Sequence, residues 1–382
     1  MIAPYTGPPL DVRGRKTITG RPIRRLLVRG TNWIGDAVMT LPALTSLRAG
    51  FPDAHVAILA KPWVADVYRL CPAVDEIVTF ERPGRHDGAG GMLRLAGELR
   101  EKRFDAAVLL QNAIEAAIIA RLARIPVRAG FDSDVRGWLL THSVRRIPAI
   151  RAVHQTSYYL EMVKALGCPD TGVDVGLIPK EEDRLRAASL LDGYGLGGVR
   201  LVGLAPGATY GAAKKWHPER FAALADRLSE TWAARVCLFG SRADRESTQA
   251  VLHNARHPVT DLAGQTGLRD AMALMARCAL FVSNDSGLMH VAAALGVPTV
   301  AVFGSTNPVT TGPVGRQSVV VRNPVSCSPC LKKTCPTDFR CMEQISADHV
   351  FRAVQGLFRE GGTQPGEKDP GGGREGDHGA SC

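Results

Sequence analysis

Residues 279–308 constrain the fold most, because they predict a strand, a tight turn, a helix and a second strand in close succession. The apolar run ALFVS is typical of a buried strand, N-D-S-G is a turn, and LMHVAAAL has the composition of a helix. Gly296 and Pro298 end that helix before the next apolar run, TVAVFG. The pattern predicts a βαβ unit, in which a helix joins two parallel strands.

The turn between the first strand and the helix is a candidate ligand site. It lies at the amino end of the helix, where free backbone N–H groups and the helix dipole attract an anion. Asp285, Ser286 and Gly287 would line this turn, and His290, one helical turn further on, would face the same way. A second explanation stays open, because Asp285 or Ser286 could simply cap the helix while His290 packs in the core.

Residues 23–36 contain a second junction of this kind, with an apolar strand, the loop R-G-T-N-W-I-G and a helix that starts near Asp36. The loop has neither the G-x-G-x-x-G fingerprint of dinucleotide-binding folds nor a P-loop lysine. We expect the helix dipole to keep Asp36 ionised, so that it could accept a proton from an attacking hydroxyl group. A plain helix cap is the alternative role for this carboxylate.

Residues 199–218 contain the third junction, in which the strand V-R-L-V-G-L-A is followed by a loop and by a helix that begins at Pro218. Thr209 offers a hydroxyl group to a ligand, and Lys214 and Lys215 offer cations near the carboxyl end of the strand. Two adjacent lysines in a loop can equally well be solvated surface residues. The loop therefore predicts either an anion site or an exposed basic turn.

Strands and helices alternate along most of the chain, and this alternation predicts parallel, doubly wound sheets of the Rossmann type. A chain of 382 residues is too long for one ordinary core. We therefore predict an α/β protein with two Rossmann-like domains that face a cleft. The predicted division is a basic disordered tail at 1–23, an N-terminal domain at 24–172, a linker at 173–180, a C-terminal domain at 181–358 and a disordered Gly-rich tail at 359–382.

The chain is basic, with a net charge of +10 and a pI of about 9.3. Many of the basic residues are concentrated at the start of the chain: Arg13, Arg15, Lys16, Arg21, Arg24, Arg25 and Arg29. Such a patch suits nucleic acid, anionic lipid or a phosphorylated ligand, and charge alone does not choose among them. Aromatic residues make up only 6% and no nucleic-acid-binding motif is present, so we expect no nucleic acid partner.

Residues 286–315 contain no Asp, Glu, Lys or Arg, which raises the question of a membrane span. The break between Gly296 and Pro298 divides this stretch into pieces too short to cross a hydrocarbon core of roughly 30 Å. The amino-terminal residues lack the apolar run of a secretory signal. We therefore expect a cytoplasmic protein, and we favour a monomer.

Four cysteines lie close together in the segment CSPCLKKTCPTDFRC: Cys327, Cys330, Cys335 and Cys341. A C-x2-C pair followed by two more cysteines is a candidate zinc site in a cytoplasmic protein. The second pair, however, has the spacing C-x5-C instead of C-x2-C. The sequence therefore leaves open whether this cluster binds zinc or no metal.

Three motifs occur in order along the chain: GTNWIGDAVMTLP at 30–42, PGATYGAAKKWHP at 206–218 and SNDSGLMHVAAAL at 283–295. This ordered set resembles the bacterial ADP-heptose:lipopolysaccharide heptosyltransferases, and the resemblance extends over roughly residues 24–355. It implies the GT-B architecture, in which two Rossmann-like domains face a cleft. That expectation agrees with the fold predicted from the alternation of strands and helices.

The resemblance also implies an inverting glycosyltransferase that requires no cofactor. Its donor would be ADP-L-glycero-β-D-manno-heptose, and its acceptor would be the first heptose of the lipid A-core at the cytoplasmic face of the inner membrane. A family member that acts on a heptose-free acceptor, or that uses another nucleotide sugar, stays open. The residues that match the family's motifs are Asp36 as the catalytic base and, for the donor, Thr209, Lys214 with its neighbour Lys215, Asp285, Ser286, Gly287 and His290.

Overall fold

The computed structural model describes residues 5–14 and 17–360 of the chain. These residues form two α/β domains, each built around one sheet whose strands are mostly parallel. The first sheet has seven strands in the order β1-β7-β6-β5-β2-β3-β4, and the second has six in the order β10-β9-β8-β11-β12-β13. The predicted fold class is therefore confirmed.

The N-terminal sheet is parallel throughout except for its edge strand β1, which pairs antiparallel with β7. Its strands are β1 Val12–Gly14, β2 Arg25–Arg29, β3 His55–Ala60, β4 Glu76–Thr79, β5 Ala106–Leu109, β6 Val127–Phe131 and β7 His142–Val144. The helices of this domain are α1 Ile34–Met39, α2 Leu41–Gly50, α3 Ala65–Arg69, α4 Gly88–Glu101, α5 Ile114–Leu122, α6 Pro148–Arg151 and α7 Gln155–Ala165.

The C-terminal sheet is parallel at every pairing. Its strands are β8 Leu201–Ala205, β9 Arg235–Leu238, β10 Val259–Asp261, β11 Cys278–Asn284, β12 Thr299–Phe303 and β13 Ser318–Arg322. Its helices are α8 Glu181–Gly193, α9 Pro218–Trp232, α10 Arg245–Asn254, α11 Leu268–Met275, α12 Gly287–Ala294, α13 Pro308–Thr311, α14 Arg340–Glu343 and α15 Ala347–Glu360.

Helices cover both faces of each sheet, and the central strands show why. In β2, Leu26 and Val28 belong to one hydrophobic cluster while Leu27 belongs to another, because successive side chains of a strand point to opposite faces. In β8, Leu201 and Val202 are divided between two clusters in the same way. Strands buried on both faces need continuous apolar runs, which is the pattern found in the sequence.

The prediction of a disordered tail at residues 1–23 is wrong where the structure describes this segment. Strand β1 adds to the edge of the sheet, with Val12 opposite Val144. The Ile18 side chain is fully buried, and its backbone N–H donates to the Leu166 carbonyl over 2.9 Å. Edge pairing and one apolar anchor therefore order part of a segment whose basic composition suggested disorder.

Two other predicted boundaries also differ from the structure or lie beyond it. The helix expected to start near Asp36 is divided into α1 and α2, which meet at Thr40, just before Pro42. Helix α15 continues to Glu360, past the predicted start of the Gly-rich tail, and the rest of that tail lies outside the described residues. Within the described ranges, no helix is both long enough and apolar enough to cross a membrane.

The two domains touch where the first turns of α1 and α12 meet. A Cβ atom placed on Gly35 would lie 2.8 Å from Cδ2 of His290, and one on Gly287 would lie 2.9 Å from Cβ of Ile34. Both distances are shorter than a carbon–carbon contact allows. Glycine at these two positions therefore lets the two helices approach each other closely.

We expect Gly35→Ala to destabilise the protein by about 1–3 kcal/mol, because the added methyl group overpacks the contact with His290. Gly97→Ala is the matched control, since Gly97 also lies in a helix but has no atom within 4 Å of an added Cβ. That change should stabilise by about 0.5–1 kcal/mol through helix propensity. Denaturant unfolding measures both, and equal stability of the two variants would contradict close packing at Gly35.

Candidate active site

The turn between β11 and α12 leaves backbone donors at the amino end of α12 without a side-chain cap. Strand β11 ends at Asn284 and α12 begins at Gly287, so Asp285 and Ser286 form the turn. Ser286 occupies the N-cap position, yet no side chain caps the helix, because the Ser286 Oγ lies 2.9 Å from the Ser283 Oγ instead. The amino end of α12 therefore keeps N–H groups for an anionic ligand.

Asp285 forms a buried ion pair with Lys214 at this turn. The Lys214 Nζ lies 2.6 Å from the Asp285 Oδ2, and the side chains are only 15% and 5% exposed. The Thr306 hydroxyl donates to the same Oδ2 over 2.6 Å. Charge-assisted hydrogen bonds of this kind fix both partners in position. The ion pair therefore holds the Lys214 ammonium group beside the amino end of α12.

The loop that carries Lys214 is tied to β11 at both ends. Asn284 accepts a hydrogen bond from the Trp216 backbone N–H over 2.9 Å and donates one to the Pro206 carbonyl over 2.7 Å. The Trp216 side chain is fully buried and its Nε1 donates to the Ile345 carbonyl over 2.8 Å. The buried side-chain amide of Asn284 thus holds both ends of the loop at residues 206–216 in place.

The structure separates the other two residues that the sequence predicted on this loop. Lys215 turns away from Asp285, since its Nζ donates to the Ser247 hydroxyl on α10 over 3.2 Å. Thr209 is exposed at the surface of the loop. Its neighbour Tyr210 places its ring centroid 5.0 Å from the Lys214 Nζ, a cation–π distance. Of the two lysines, Lys214 is the one that the structure brings to the turn.

His290 is a buried, neutral member of the same cluster. Its side chain is 4% exposed, and burial lowers its pKa to about 4, against the opposing effect of the Asp285 carboxylate. The imidazole is therefore uncharged at neutral pH, with one ring nitrogen as a donor and the other as an acceptor. Its contact with Gly35 places it between the two domains.

Asp36 faces this cluster from the N-terminal domain. Burial raises its pKa to about 6, and the Lys214 charge acts in the opposite direction. The sequence-based expectation that the helix dipole would dominate is therefore wrong in direction, because desolvation of the carboxylate outweighs it. At neutral pH Asp36 is still ionised, and its raised pKa is closer to the working range of a general base.

The structure thus brings together, at the contact between the two domains, Asp36, Lys214, Asp285, Ser286, Gly287 and His290. Sequence reasoning missed Thr306 and the structural role of Asn284. The signal for Thr306 was the polar run G-S-T-N-P directly after β12, since the carboxyl ends of neighbouring parallel strands meet at one edge of the sheet. Asn284 stood inside the quoted N-D-S-G turn but gave no sign that its amide would bind the loop.

The sequence left open whether the clustered cysteines bind zinc, and their side chains are not already arranged around a metal position. Among residues 5–14 and 17–360, no group of three or more His, Cys, Asp or Glu side chains is arranged to hold a metal ion. Cys327, Cys330, Cys335 and Cys341 carry free thiols and nevertheless all line one cavity of about 160 Å³. That cavity lies beside the loop at residues 206–216, since Ala213 also lines it.

Comparison with known proteins supports the resemblance. Lipopolysaccharide heptosyltransferase 2 of Salmonella typhimurium is 33% identical over 307 residues, which cover 78% of this chain and 88% of that protein. Lipopolysaccharide heptosyltransferase 1 of Pseudomonas aeruginosa is 31% identical over 327 residues, with coverages of 81% and 87%. The solved structure of E. coli ADP-heptose lps heptosyltransferase II matches with a TM-score of 0.75 and 28% identity, over 89% of this chain and 100% of that chain.

A second solved structure, the glycosyl transferase family 9 protein of Veillonella parvula, matches with a TM-score of 0.80 and 26% identity over 88% of this chain and 98% of that one. Residues 92–339 match the family described as Glycosyltransferase family 9 (heptosyltransferase). The GT-B architecture and the family predicted from three motifs are therefore confirmed. The chain belongs to glycosyltransferase family 9, the heptosyltransferase family, and is a glycosyltransferase.

Proposed function

We propose that this glycosyltransferase transfers heptose from ADP-L-glycero-β-D-manno-heptose to the first heptose of the lipopolysaccharide inner core. The observation that carries the proposal is the close contact of α1 and α12, which brings the Asp36 carboxylate of one domain near enough to Lys214 of the other for their charges to interact. The similarity to heptosyltransferases 2 supports the choice of donor and acceptor. The reaction is part of the synthesis of the lipopolysaccharide core.

The C-terminal domain would bind the donor. The diphosphate lies at the amino end of α12, where the N–H groups near Ser286 and Gly287 lack a side-chain cap. The Lys214 ammonium group, already held in place by Asp285, contacts the diphosphate from the side of the loop. Thr209 adds a hydroxyl group from the exposed part of that loop.

The transfer would be one inverting displacement. Asp36 takes the proton from the acceptor hydroxyl, and that oxygen forms a bond to the anomeric carbon as the bond from this carbon to the diphosphate oxygen breaks. The product is an α-linked heptose, because the donor is a β-glycoside, and ADP leaves with the bonding electron pair. A carboxylate with a pKa of about 6 is suited to this role, since it is ionised at neutral pH and is a stronger base than an ordinary aspartate.

Negative charge that develops on the leaving diphosphate would be met by fixed donors. Lys214 supplies a full charge, and the backbone N–H groups of α12 supply partial charges that require no reorganisation. Donors placed in this way are worth roughly 3–4 kcal/mol each in the transition state. The proposed reaction requires no metal ion, since the cation and the helix end would meet the charge of the diphosphate.

The acceptor would reach Asp36 from the N-terminal domain at the cytoplasmic face of the inner membrane, and the enzyme would act there as a peripheral monomer. Trp33 occupies the N-cap position of α1, three residues before Asp36, and its side chain is 62% exposed. An indole in that position suits an amphipathic acceptor, because one edge is apolar and the other can donate a hydrogen bond.

The proposal is tested with purified protein, ADP-heptose and two lipid acceptors, one without heptose and one that already carries a single heptose. Mass spectrometry should show the gain of one heptose on the mono-heptosylated acceptor only. Gain on the bare acceptor would favour heptosyltransferase I activity, which the Pseudomonas aeruginosa relative makes a real alternative. Absence of transfer to either acceptor would contradict the proposed donor.

Asp36→Asn should lower kcat by about 10²–10⁴, because the amide cannot accept the proton of the acceptor hydroxyl. In the unmodified enzyme, kcat/KM should fall as the pH drops below about 6, where Asp36 becomes protonated. The remaining activity of Asp36→Asn should lack this acidic limb. Steady-state assays between pH 5 and 8 measure both effects, and near-normal turnover of the variant would remove Asp36 as the base.

The same substitution should stabilise the protein above pH 6. The folded protein binds the Asp36 proton more tightly than the unfolded chain, so the stability contribution of this group falls as pH rises from the ordinary value of 3.8 to about 6. Asp36→Asn removes this penalty, which amounts to at most about 3 kcal/mol. Denaturant unfolding at pH 8 and pH 4 should show a gain at pH 8 that shrinks at pH 4, and a loss of stability at both pH values would contradict the raised pKa.

A further inference from the structure

Residues 323–339, which connect β13 to α14, have little of their own to hold them in place. This segment contains no helix or strand, and none of its residues is buried. Long connections without secondary structure are uncommon in compact domains and are usually functional. A segment that cannot bury an apolar core needs another constraint, such as a disulfide or a metal ion.

The segment is nevertheless bound to the loop at residues 206–216, which carries Lys214 and is called the donor loop below. The Tyr210 hydroxyl donates to the Leu331 carbonyl, and the Ala213 N–H donates to the Lys333 carbonyl, both over 2.9 Å. Between these two bonds, a side chain on Gly211 would collide with the Lys333 carbonyl. Residues 323–339 therefore form a strap across the donor loop, the loop that carries Lys214.

The strap is also bound to the loop after β12. The Leu331 N–H donates to the Ser305 carbonyl over 2.8 Å, and the Ser328 hydroxyl donates to the Gly304 carbonyl over 2.6 Å. Thr306, the donor to Asp285, follows directly on that loop. The strap thus contacts both loops that fix the Lys214–Asp285 ion pair.

The strap and α14 gather the four clustered cysteines around one cavity of about 160 Å³: Cys327, Cys330, Cys335 and Cys341. Lys332 and Arg340 line the same cavity, whose lining contains no Asp or Glu. Four thiolates around a divalent ion carry a net charge of 2−, which Lys332 would offset in part, while Arg340 is already paired with Asp338. The volume is larger than one water molecule requires and leaves room for the thiols to rotate inward.

We propose that these four cysteines bind one thiolate-preferring divalent metal ion, with Zn²⁺ as the expected ion, and that the ion fixes the strap across the donor loop. Binding draws the four sulfur atoms from their positions around the cavity to a tetrahedral arrangement about 2.3 Å from the ion. The ion displaces four thiol protons, which are released to solvent, and no oxidation or reduction takes place. The site is structural, since four protein ligands leave no open position for a substrate.

The remaining described cysteines show that this arrangement is specific to the cluster. Cys71, Cys168, Cys237 and Cys278 are each buried in a hydrophobic core, and burial raises the pKa of each of these thiols. None of these four lines the cavity, whereas Cys341, which is also buried and whose pKa burial also raises, lines it together with the other three clustered cysteines. Disulfide pairing of the four clustered thiols is the competing way to constrain the strap, and it gives a different mass and a different thiol count.

The first test is elemental analysis of the full-length protein purified with reductant present and without added metal. About one metal ion per chain is expected, and Cys330→Ser combined with Cys335→Ser should reduce this to about none. Cys382→Ser, outside the cluster, should leave the metal content unchanged. With Co²⁺ as the probe, the metal-depleted enzyme should gain the absorption of a tetrahedral tetrathiolate complex, and the double variant should not.

Thiol titration of the folded protein separates the outcomes. Removal of the ion by a chelator should make four further thiols reactive, and iron in place of zinc on the same thiols would support the site. Metal-free protein in which all four thiols react from the start would overturn the proposal. A mass lower by four hydrogens, from two disulfides, would also overturn it.

The effect of the metal ion on the donor loop is measured separately, as the affinity for ADP determined by calorimetry. This test rests on the proposed function. The double Cys330, Cys335 variant should bind ADP about tenfold more weakly than the Cys382→Ser protein, because the loop that carries Lys214 is no longer held. Equal ADP affinity would contradict the coupling of the strap to the loop. Failure of both proteins to bind ADP would contradict the proposed function and leave the metal content as an independent test.

Discussion

The close approach of α1 and α12 is the constraint on which the rest of the site depends. Two glycines, Gly35 and Gly287, remove the side chains that would otherwise keep the two domains apart. Asp36 follows Gly35 directly, and the Lys214–Asp285 pair is fixed beside the amino end of α12. The backbone contact of the two helices brings the carboxylate of one domain near the other domain, and the ion pair with Asp285 fixes the ammonium group there.

This packing also explains the electrostatics of the cluster. Contact between the domains removes water from Asp36 and His290, and burial raises the pKa of the acid and lowers that of the imidazole. The imidazole is therefore uncharged at neutral pH, whereas Asp36 stays ionised but takes up a proton more readily than an exposed aspartate. Lys214 and Asp285 form an ion pair in this buried region, so it is the position of the ammonium group, and not a net positive charge, that favours an anionic ligand. A charge in such a place acts more strongly than it would at the surface.

Sequence reasoning predicted the parts of the fold that local pattern determines. The buried strands and the three strand–loop–helix junctions follow from apolar runs and turn residues. These junctions place Asp36, Lys214 and Asp285 after the carboxyl ends of their strands. Strand β1 was missed because it is stabilised by pairing with β7, a contact far away in the sequence. The different directions of Lys214 and Lys215 could not be predicted either, since they depend on which carboxylate or hydroxyl lies within reach.

Three parts of the chain that are distant in sequence hold Lys214 and its loop in place. Asn284 holds both ends of the loop, Thr306 supports Asp285, and the strap at residues 323–339 covers the loop from outside. Only the first of these is part of a regular element with a buried core. A loop that must bind and release a diphosphate cannot bury itself in that core, because its polar atoms have to stay available. External supports such as the strap hold the loop in place without covering the donors that the ligand needs.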